Sequence, residues 1–230
     1  MTQVTERYAQ NQDKPIFICD FSPPRGADVT QLEQIRELKA DFVNVAYNPG
    51  KSVRVDSAIM AYLLKSKVDT EVIFTIGCRD RNKLAMQTHL LGAQMLGLEN
   101  VVVVQGDNFT DGELTDVKDV SDFTTTELIQ SIKSMNDGLD YRGKKLRVPT
   151  NFCVGATVDL GRNLEQEALL AYRKTQAGAD FFITQAFHEM PQAAQFLDAY
   201  QRVAGKPLDT PIFYGVQILD RGGPVFGHMP

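Results

Sequence analysis

The chain has 230 residues, of which 43% are hydrophobic and 23% are charged, and its formal net charge is −5. This composition suits one ordinary α/β domain, and the negative charge argues against a general nucleic-acid surface, which needs clustered Lys and Arg. No apolar run approaches the roughly 20 residues that a membrane span needs. Residues 1–14 are polar and lack the apolar centre of a signal peptide, so the expected location is the cytoplasm.

Seven short runs rich in β-branched and aromatic residues predict buried parallel strands. They are residues 15–21, 42–47, 71–77, 100–105, 151–157, 180–185 and 211–217. Helical stretches separate these runs, and both Thr30 with Glu33 and Thr124 with Glu127 have the spacing of a capping box. Glycines stand where three of the helices should end, at Gly97, Gly178 and Gly205. Strands that alternate with helices predict right-handed βαβ units in a parallel sheet.

The predicted fold class is α/β, a (β/α)8 TIM barrel. An open doubly wound sheet is the alternative, but the first turn, SPPRGAD at residues 22–28, lacks the GxGxxG pattern of a dinucleotide-binding fold. We expect residues 1–14 to form a polar N-terminal extension and residues 15–230 to form a single barrel catalytic domain. The sequence ends at FGHMP, before a last helix and an eighth strand, which predicts either a fragment or a barrel that another element closes.

Two features that suggest a metal have simpler interpretations. Residues 106–123 carry six acidic side chains, but their spacing does not match an EF-hand, and a solvated lid or ligand-contacting loop fits better. Cys19, Cys78 and Cys153 fall in or beside predicted strands and form no CxxC pair, which predicts buried thiols. We therefore expect no metal site.

Polar residues stand at the ends of three predicted strands. Asp20 closes IFICD, Asp107 closes VVVVQGD and Gln185 closes DFFITQ. Because the carboxyl ends of the strands share one face in alternating βα architectures, these side chains are expected to converge on one pocket. In a partly dry site Asp20 suits a general acid, and the alternative is a turn cap. Asp107 could likewise be a functional carboxylate or a turn residue, whereas the amide of Gln185 suits recognition of a heterocycle. The pattern predicts an enzyme.

Other polar residues carry weaker signals. His188 lies three residues beyond Gln185 and could shuttle protons, although a solvated loop histidine is the simpler interpretation. Lys174 is placed as a favourable charge near the end of a helix, and neither His89 nor His228 receives a role. Four cations follow strands and could either hold an anionic substrate tail or remain solvated: Arg25, Lys51, Arg54 and Arg79.

The order of five motifs, CDFSPPR, FVNVAY, VVVVQGD, AGADFFITQ and GVQIL, resembles that of the methylenetetrahydrofolate reductases. These are flavin-containing (β/α)8 barrels of one-carbon metabolism, and the resemblance runs from about residue 15 to the C-terminus. It implies an oxidoreductase that reduces 5,10-methylenetetrahydrofolate to 5-methyltetrahydrofolate, with hydride passing from NADH or NADPH through bound FAD. The implied partners are folate and nicotinamide small molecules, with no nucleic acid and no membrane.

The same resemblance implies roles for individual residues. Asp20 matches the family's general acid, which promotes opening of the substrate's five-membered ring to an iminium, and Asp107 matches a carboxylate that stabilises this cation. Gln185 matches the amide that binds the folate and shapes the nicotinamide site. The positions that contact flavin in the family are Ala46, Tyr47, Gln105, Ala156, Thr157, Glu167 and Lys174.

Several positions depart from the family pattern. Asp20 stands where glutamate is usual, and Gln105 replaces a common arginine. Ile73 and Thr157 stand where polar or aromatic flavin contacts are frequent, and the connection after Thr157 is shorter. Two alternatives therefore stay open: a flavin-free reductase of the same family, and a non-catalytic folate-binding or assembly subunit of a larger complex. A homo-oligomer and a complex with a partner subunit are both compatible with the sequence.

Overall fold

A computed structural model describes residues 1–11, 13–30 and 32–218, and of residues 33 and 34 it describes the backbone alone. The chain divides into two compact units, residues 1–154 and a second unit that begins at Gly155. The first unit contains α1 (Val4–Gln10), β1 (Ile18–Phe21), α2 (Leu32–Ile35), β2 (Phe42–Val45), α3 (Ser57–Val68), β3 (Val72–Gly77), α4 (Lys83–Met95), β4 (Asn100–Val104) and α5 (Thr125–Asn136). Strand β5 (Cys153–Val158) begins at the end of this unit, and the second unit continues with α6 (Leu164–Gln176), β6 (Phe181–Ala186), α7 (Pro191–Ala204) and β7 (Ile212–Gly215).

The strands of each unit are parallel neighbours in chain order, β1 to β4 in the first and β5 to β7 in the second. Every residue of β2 and β3 is buried, as expected for strands covered on both faces. The order and the alternation with helices confirm the predicted fold class, a (β/α) TIM barrel of which seven strands lie among the described residues. Residues 219–230, which carry His228 and the predicted break before an eighth strand, lie outside the described residues.

Local capping signals behave largely as the sequence predicts. At the start of α5 the Thr124 hydroxyl accepts from the backbone N–H of Glu127, whose carboxylate accepts from Thr124 in return, so this capping box is confirmed. The Thr30 hydroxyl instead donates to Asp28 (2.8 Å), and the side chain of Glu33 lies outside the described residues. The three predicted helix-ending glycines all adopt positive φ, at Gly97, Gly178 and Gly205.

The polar N-terminal segment contains a helix, α1, whose position depends on a buried asparagine. Asn100, the fully buried first residue of β4, accepts a hydrogen bond from the backbone N–H of Val4 (3.0 Å). Its amide donates to the carbonyls of Thr2 (3.0 Å) and Val72 (3.2 Å). Val4 is itself fully buried. The helix therefore covers the amino-terminal ends of β3 and β4, opposite the ends that carry the predicted site.

Aromatic side chains fill the core of each unit. In the first unit the rings of Phe74 and Phe152 meet edge to face with centroids 6.2 Å apart. In the second unit Phe181 packs over Gly155, where an added Cβ would lie 2.3 Å from the ring. Because Gly155 in β5 has no side chain, the ring of Phe181 in β6 can lie directly over the β5 backbone.

We predict that Asn100→Ala destabilises the protein by about 2–4 kcal/mol, because it removes three hydrogen bonds and leaves buried backbone groups unpaired. Chemical denaturation followed by circular dichroism measures the change. Gln10→Ala, at an exposed position of α1, is the matched control and should stay within about 0.5 kcal/mol of the unsubstituted protein. Equal stability of both variants would show that α1 is not anchored by Asn100.

Candidate active site

At the end of β1, Asp20 heads a polar ladder that crosses three strands. The Asn44 side-chain amide donates to Asp20 Oδ1 (2.7 Å), and the Thr75 hydroxyl donates to Asn44 Oδ1 (3.2 Å). Asn44 and Thr75 are buried within β2 and β3, whereas Asp20 is exposed. The expected partly dry setting of Asp20 is therefore wrong. The ladder binds Asp20 Oδ1. Asp20 Oδ2 accepts no hydrogen bond from the described side chains, so it can contact a substrate.

Sequence reasoning missed Asn44, although a signal was present. It is the single polar residue of FVNV, a run in which all four residues are buried. A polar side chain in such a strand must find hydrogen-bond partners, because an unpaired buried amide is costly. Thr75 uses the amide oxygen, so the amide nitrogen faces Asp20. The register supports this contact, since Asp20 and Asn44 are direct partners in the β1–β2 ladder.

Arg79, one of the proposed anion-binding cations, is used entirely for internal contacts. Its guanidinium forms a two-point ion pair with Asp80 (2.6 and 2.9 Å) and donates to the carbonyl of Asp107 (2.7 Å). It also lies 4.2 Å from the centre of the Phe109 ring. Only 5% of the residue is exposed, and the bond to Asp80 raises the pKa of Arg79. Arg79 therefore supports the loop after β4.

Tyr47, a predicted flavin contact, is fixed by the same acid. Its hydroxyl donates to Asp80 Oδ2 (2.8 Å), and its ring lies over Gly77, where an added Cβ would be 2.5 Å from the ring. Burial, and then the bond to Asp80, raise the pKa of Tyr47. Partial burial acts to raise the pKa of Asp80, but the hydrogen bonds from Arg79 and Tyr47 outweigh it, so the pKa of Asp80 is lowered. The tyrosine is thus a neutral donor in a closed contact.

Two further cations join neighbouring loops. Lys51 donates to the carbonyl of Asn108 (3.2 Å) and to the Glu113 carboxylate (2.6 Å), and this contact lowers the pKa of Glu113 to about 2. Arg54 donates to the carbonyl of Pro23 (2.8 Å) in the loop after β1. Both cations lie beside the strand ends as predicted, but they stabilise loops. Arg25 is exposed.

Beyond β4 the chain presents its second predicted catalytic acid. Asp107 is exposed and follows Gly106, which has φ +87°, and an added Cβ at Gly106 would lie in tight contact with Arg79, at 3.2 Å. Gln105 is also exposed, and Ala46 is half-buried beyond β2. Asp20 and Asp107 thus both lie at the carboxyl-terminal ends of strands of the first unit, with their carboxylates open to solvent.

In the second unit, the predicted flavin contacts hold the turn between β5 and α6. Lys174, which is 3% exposed, donates from Nζ to the carbonyl of Thr157 (2.6 Å). Glu167, which is 7% exposed, accepts from the backbone N–H of Asp159 (3.1 Å). Ala156 is fully buried in β5. The interpretation of Lys174 as a charge at a helix end is therefore incomplete, because its ammonium binds the end of the preceding strand.

Gln185 is exposed near the end of β6, beside an irregularity in the strand pairing. The pairing of β6 with β7 shifts between Ile183 and Ala186, and the Thr184 hydroxyl accepts from the backbone N–H of Gly215 (2.8 Å). Such a bulge changes the direction of the side chains that follow it. His188 is half-buried, and its Nε2 has no hydrogen-bond partner among the described residues. The predicted convergence of Gln185 with Asp20 and Asp107 stays a prediction.

The seven residues that the resemblance assigns to flavin do not fit FAD as they are arranged. FAD carries a pyrophosphate, which proteins bind with Arg or Lys side chains or with backbone N–H groups at a helix N-terminus. Lys174 is the one cation of the seven, and its buried ammonium binds the Thr157 carbonyl. Glu167 is an acid, Gln105 is neutral, and Tyr47 is bonded to Asp80.

In the described part of the chain, no group of three or more His, Cys, Asp or Glu side chains is arranged to hold a metal ion. Among the same residues, no helix combines the length and the apolar character needed to cross a membrane. Of the three cysteines, Cys78 and Cys153 are buried and Cys19 is partly exposed.

The chain is similar in sequence and in fold to known proteins. A Caenorhabditis elegans protein described as a probable methylenetetrahydrofolate reductase (NADPH) is 25% identical over 220 residues, covering 90% of this chain and 31% of the nematode protein. The chain thus spans about a third of that relative. A Clostridium thermocellum protein that binds two copies of 5-methyl-5,6,7,8-tetrahydrofolic acid has a TM-score of 0.60 at 15% identity, covering 91% of this chain and 68% of that one.

This similarity at 15% identity concerns the fold alone, and so does a third. A 2,3-dimethylmalate lyase has a TM-score of 0.58 at 13% identity, covering 90% of this chain and 69% of that one. Across different chemistries, the shared feature is the barrel. The model of the methylenetetrahydrofolate reductase family matches residues 5–220, which is most of the chain. The chain belongs to the methylenetetrahydrofolate reductase family.

Proposed function

We propose that this chain reduces 5,10-methylenetetrahydrofolate to 5-methyltetrahydrofolate with hydride from NADH or NADPH. The observation that carries the proposal is the exposed Asp20 carboxylate, held by Asn44 at the strand ends of a member of this reductase family. A similar fold in another protein binds 5-methyltetrahydrofolate, the product of this reaction, which supports a folate site. The proposed location is the cytoplasm.

The proposed reaction begins with acid catalysis by Asp20. A proton passes from the Asp20 carboxyl to N10 of the folate, the bond from N10 to the methylene carbon breaks, and the N5 lone pair forms an iminium. Hydride supplied by the dihydronicotinamide reaches the methylene carbon, which gives the N5-methyl group and the oxidised nicotinamide. Water then restores the proton on Asp20. One proton and one hydride are consumed in each turnover, so the reaction balances.

Two exposed groups have supporting roles in this proposal. The Asp107 carboxylate stabilises the cationic iminium, since negative charge placed where positive charge develops lowers the barrier. The Gln185 amide offers both a donor and an acceptor, which suits the pterin ring of the folate. Asn44 is a positioning residue, because it acts on the reaction only through its bond to Asp20. Thr75 fixes the direction of the Asn44 amide.

We predict that Asp20→Asn lowers kcat by about 10²- to 10⁴-fold, the usual contribution of general acid catalysis, with little change in folate affinity. Oxidation of NADH or NADPH with methylenetetrahydrofolate measures turnover, and calorimetry measures folate binding. Asp28→Asn changes an exposed acid of the same loop and is the matched control. Undiminished turnover by Asp20→Asn would reject this role, and tight folate binding without turnover by the unsubstituted chain would favour the folate-binding subunit.

We also predict that Asn44→Asp moves the alkaline loss of kcat/KM to higher pH by about one unit. The substitution keeps the shape of the side chain but places a second carboxylate beside Asp20, and two carboxylates in contact share a proton more tightly. An acid that keeps its proton to higher pH remains active to higher pH. The measurement is a pH profile, with Asn108→Asp as a control of equal charge change. Superimposable profiles for the two variants would contradict the positioning role.

A further inference from the structure

We propose that this chain passes hydride directly from the nicotinamide to the folate, without a flavin between them. The inference rests on the proposed function for the identity of the substrates. Its own basis is the set of contacts that the predicted flavin residues make, in each unit separately. It concerns the same site and specifies the route that the two electrons take.

In the second unit, the cation expected to meet the flavin is committed to the backbone. Lys174 is 3% exposed and its ammonium lies 2.6 Å from the Thr157 carbonyl. At this exposure little of the ammonium is open to a phosphate, and moving it outward would give up the bond to the Thr157 carbonyl. A lysine held in this way stabilises the contact between α6 and β5, and its ammonium is poorly accessible to an anion.

The N-terminus of α6, where a pyrophosphate would otherwise find backbone N–H groups, is already capped and acidic. The Asn163 side chain accepts from the backbone N–H of Gln166 (3.1 Å), and the first turn carries Glu165 and Glu167. Acidic side chains are favourable here because they complement the helix dipole. Their charge would repel a phosphate, which is the opposite of an anion-binding helix start.

The turn between β5 and α6 is also closed on itself. Asp159 accepts from the backbone N–H of Gly161 (3.0 Å) and pairs with Arg162 (2.9 Å), while its own N–H donates to Glu167 (3.1 Å). Only residues 159–163 connect the strand to the helix. The polar groups named here are therefore bonded within the turn and its helix.

In the first unit, the predicted flavin contacts leave no cation for the cofactor. Tyr47 is bonded to Asp80 and packed against Gly77. Gln105, which stands where an arginine is common in the family, is uncharged, and the neighbouring Arg79 uses its donors on Asp80 and Asp107. The acids and the amide proposed for folate chemistry are exposed, whereas Tyr47 and Arg79 are bonded to other residues of the protein.

Without the flavin, the reaction remains chemically complete. The hydride leaves C4 of the dihydronicotinamide with both electrons and forms the new bond to the methylene carbon of the iminium. The nicotinamide becomes the oxidised cofactor, and the proton is supplied as in the proposed function. The single requirement is that the two carbons approach to roughly 3–3.5 Å in one ternary complex.

The test uses the full chain, freed of trace flavin with charcoal, and NADH deuterated at both C4 positions. Reduced flavin exchanges its N5 hydrogen with water, so a flavin route dilutes the label, whereas direct transfer places one deuterium in every methyl group. We expect full retention by mass spectrometry, and added FAD should change kcat by less than about twofold. Asp20→Asn is the control for label incorporation without enzymatic reduction.

A second measurement separates this inference from the proposed function. FAD is titrated into the chain while its fluorescence is followed, a readout that does not need turnover. Saturable FAD binding, a requirement for FAD, or loss of the label would overturn the inference. A chain that neither binds FAD nor reduces the folate would leave the proposed function wrong and the absence of a flavin site supported.

Discussion

The two-point ion pair between Arg79 and Asp80 organises the strand ends of the first unit. Through Asp80 it fixes Tyr47, and through Nη1 and its ring contact Arg79 holds the chain that follows β4 at Asp107 and Phe109. The backbone carbonyl of Arg79 also accepts from Val120 at the far end of the same loop (2.9 Å). A buried guanidinium must have all its charge compensated, so these loops are stabilised together.

The second unit uses a buried cation in a similar way. Lys174 reaches from α6 to the carbonyl at the end of β5, and Glu167, two helical turns earlier, receives the N–H of Asp159. The Lys174 ammonium and the Glu167 carboxylate thus join α6 to the end of β5 and the turn that follows it, each through a hydrogen bond to the backbone. In both units the buried charged groups stabilise the scaffold. Asp20, Asp107 and Gln185 are exposed, and their carboxylates and amide suit proton transfer and heterocycle recognition.

Local patterns predicted the framework well because each depends on neighbouring residues. The strand predicted at 42–47 is Phe42–Val45, and the capping box at Thr124 forms as its spacing indicates. The helix α1 was not predicted, because the polar segment is fixed by Asn100, which lies about a hundred residues away in sequence. Asn44 was missed for a similar reason, since its two partners come from different strands.

By itself, the sequence determined the alternation of strands and helices, the fold class, and the placement of Asp20, Asp107 and Gln185 at strand ends, because periodicity and turn chemistry are local. Only the tertiary structure decided what the charged residues do. Whether Arg79 and Lys174 meet a ligand or a backbone carbonyl depends on distances between segments far apart in the chain. Residue type and spacing cannot specify those distances, because packing of the surrounding helices and strands sets them.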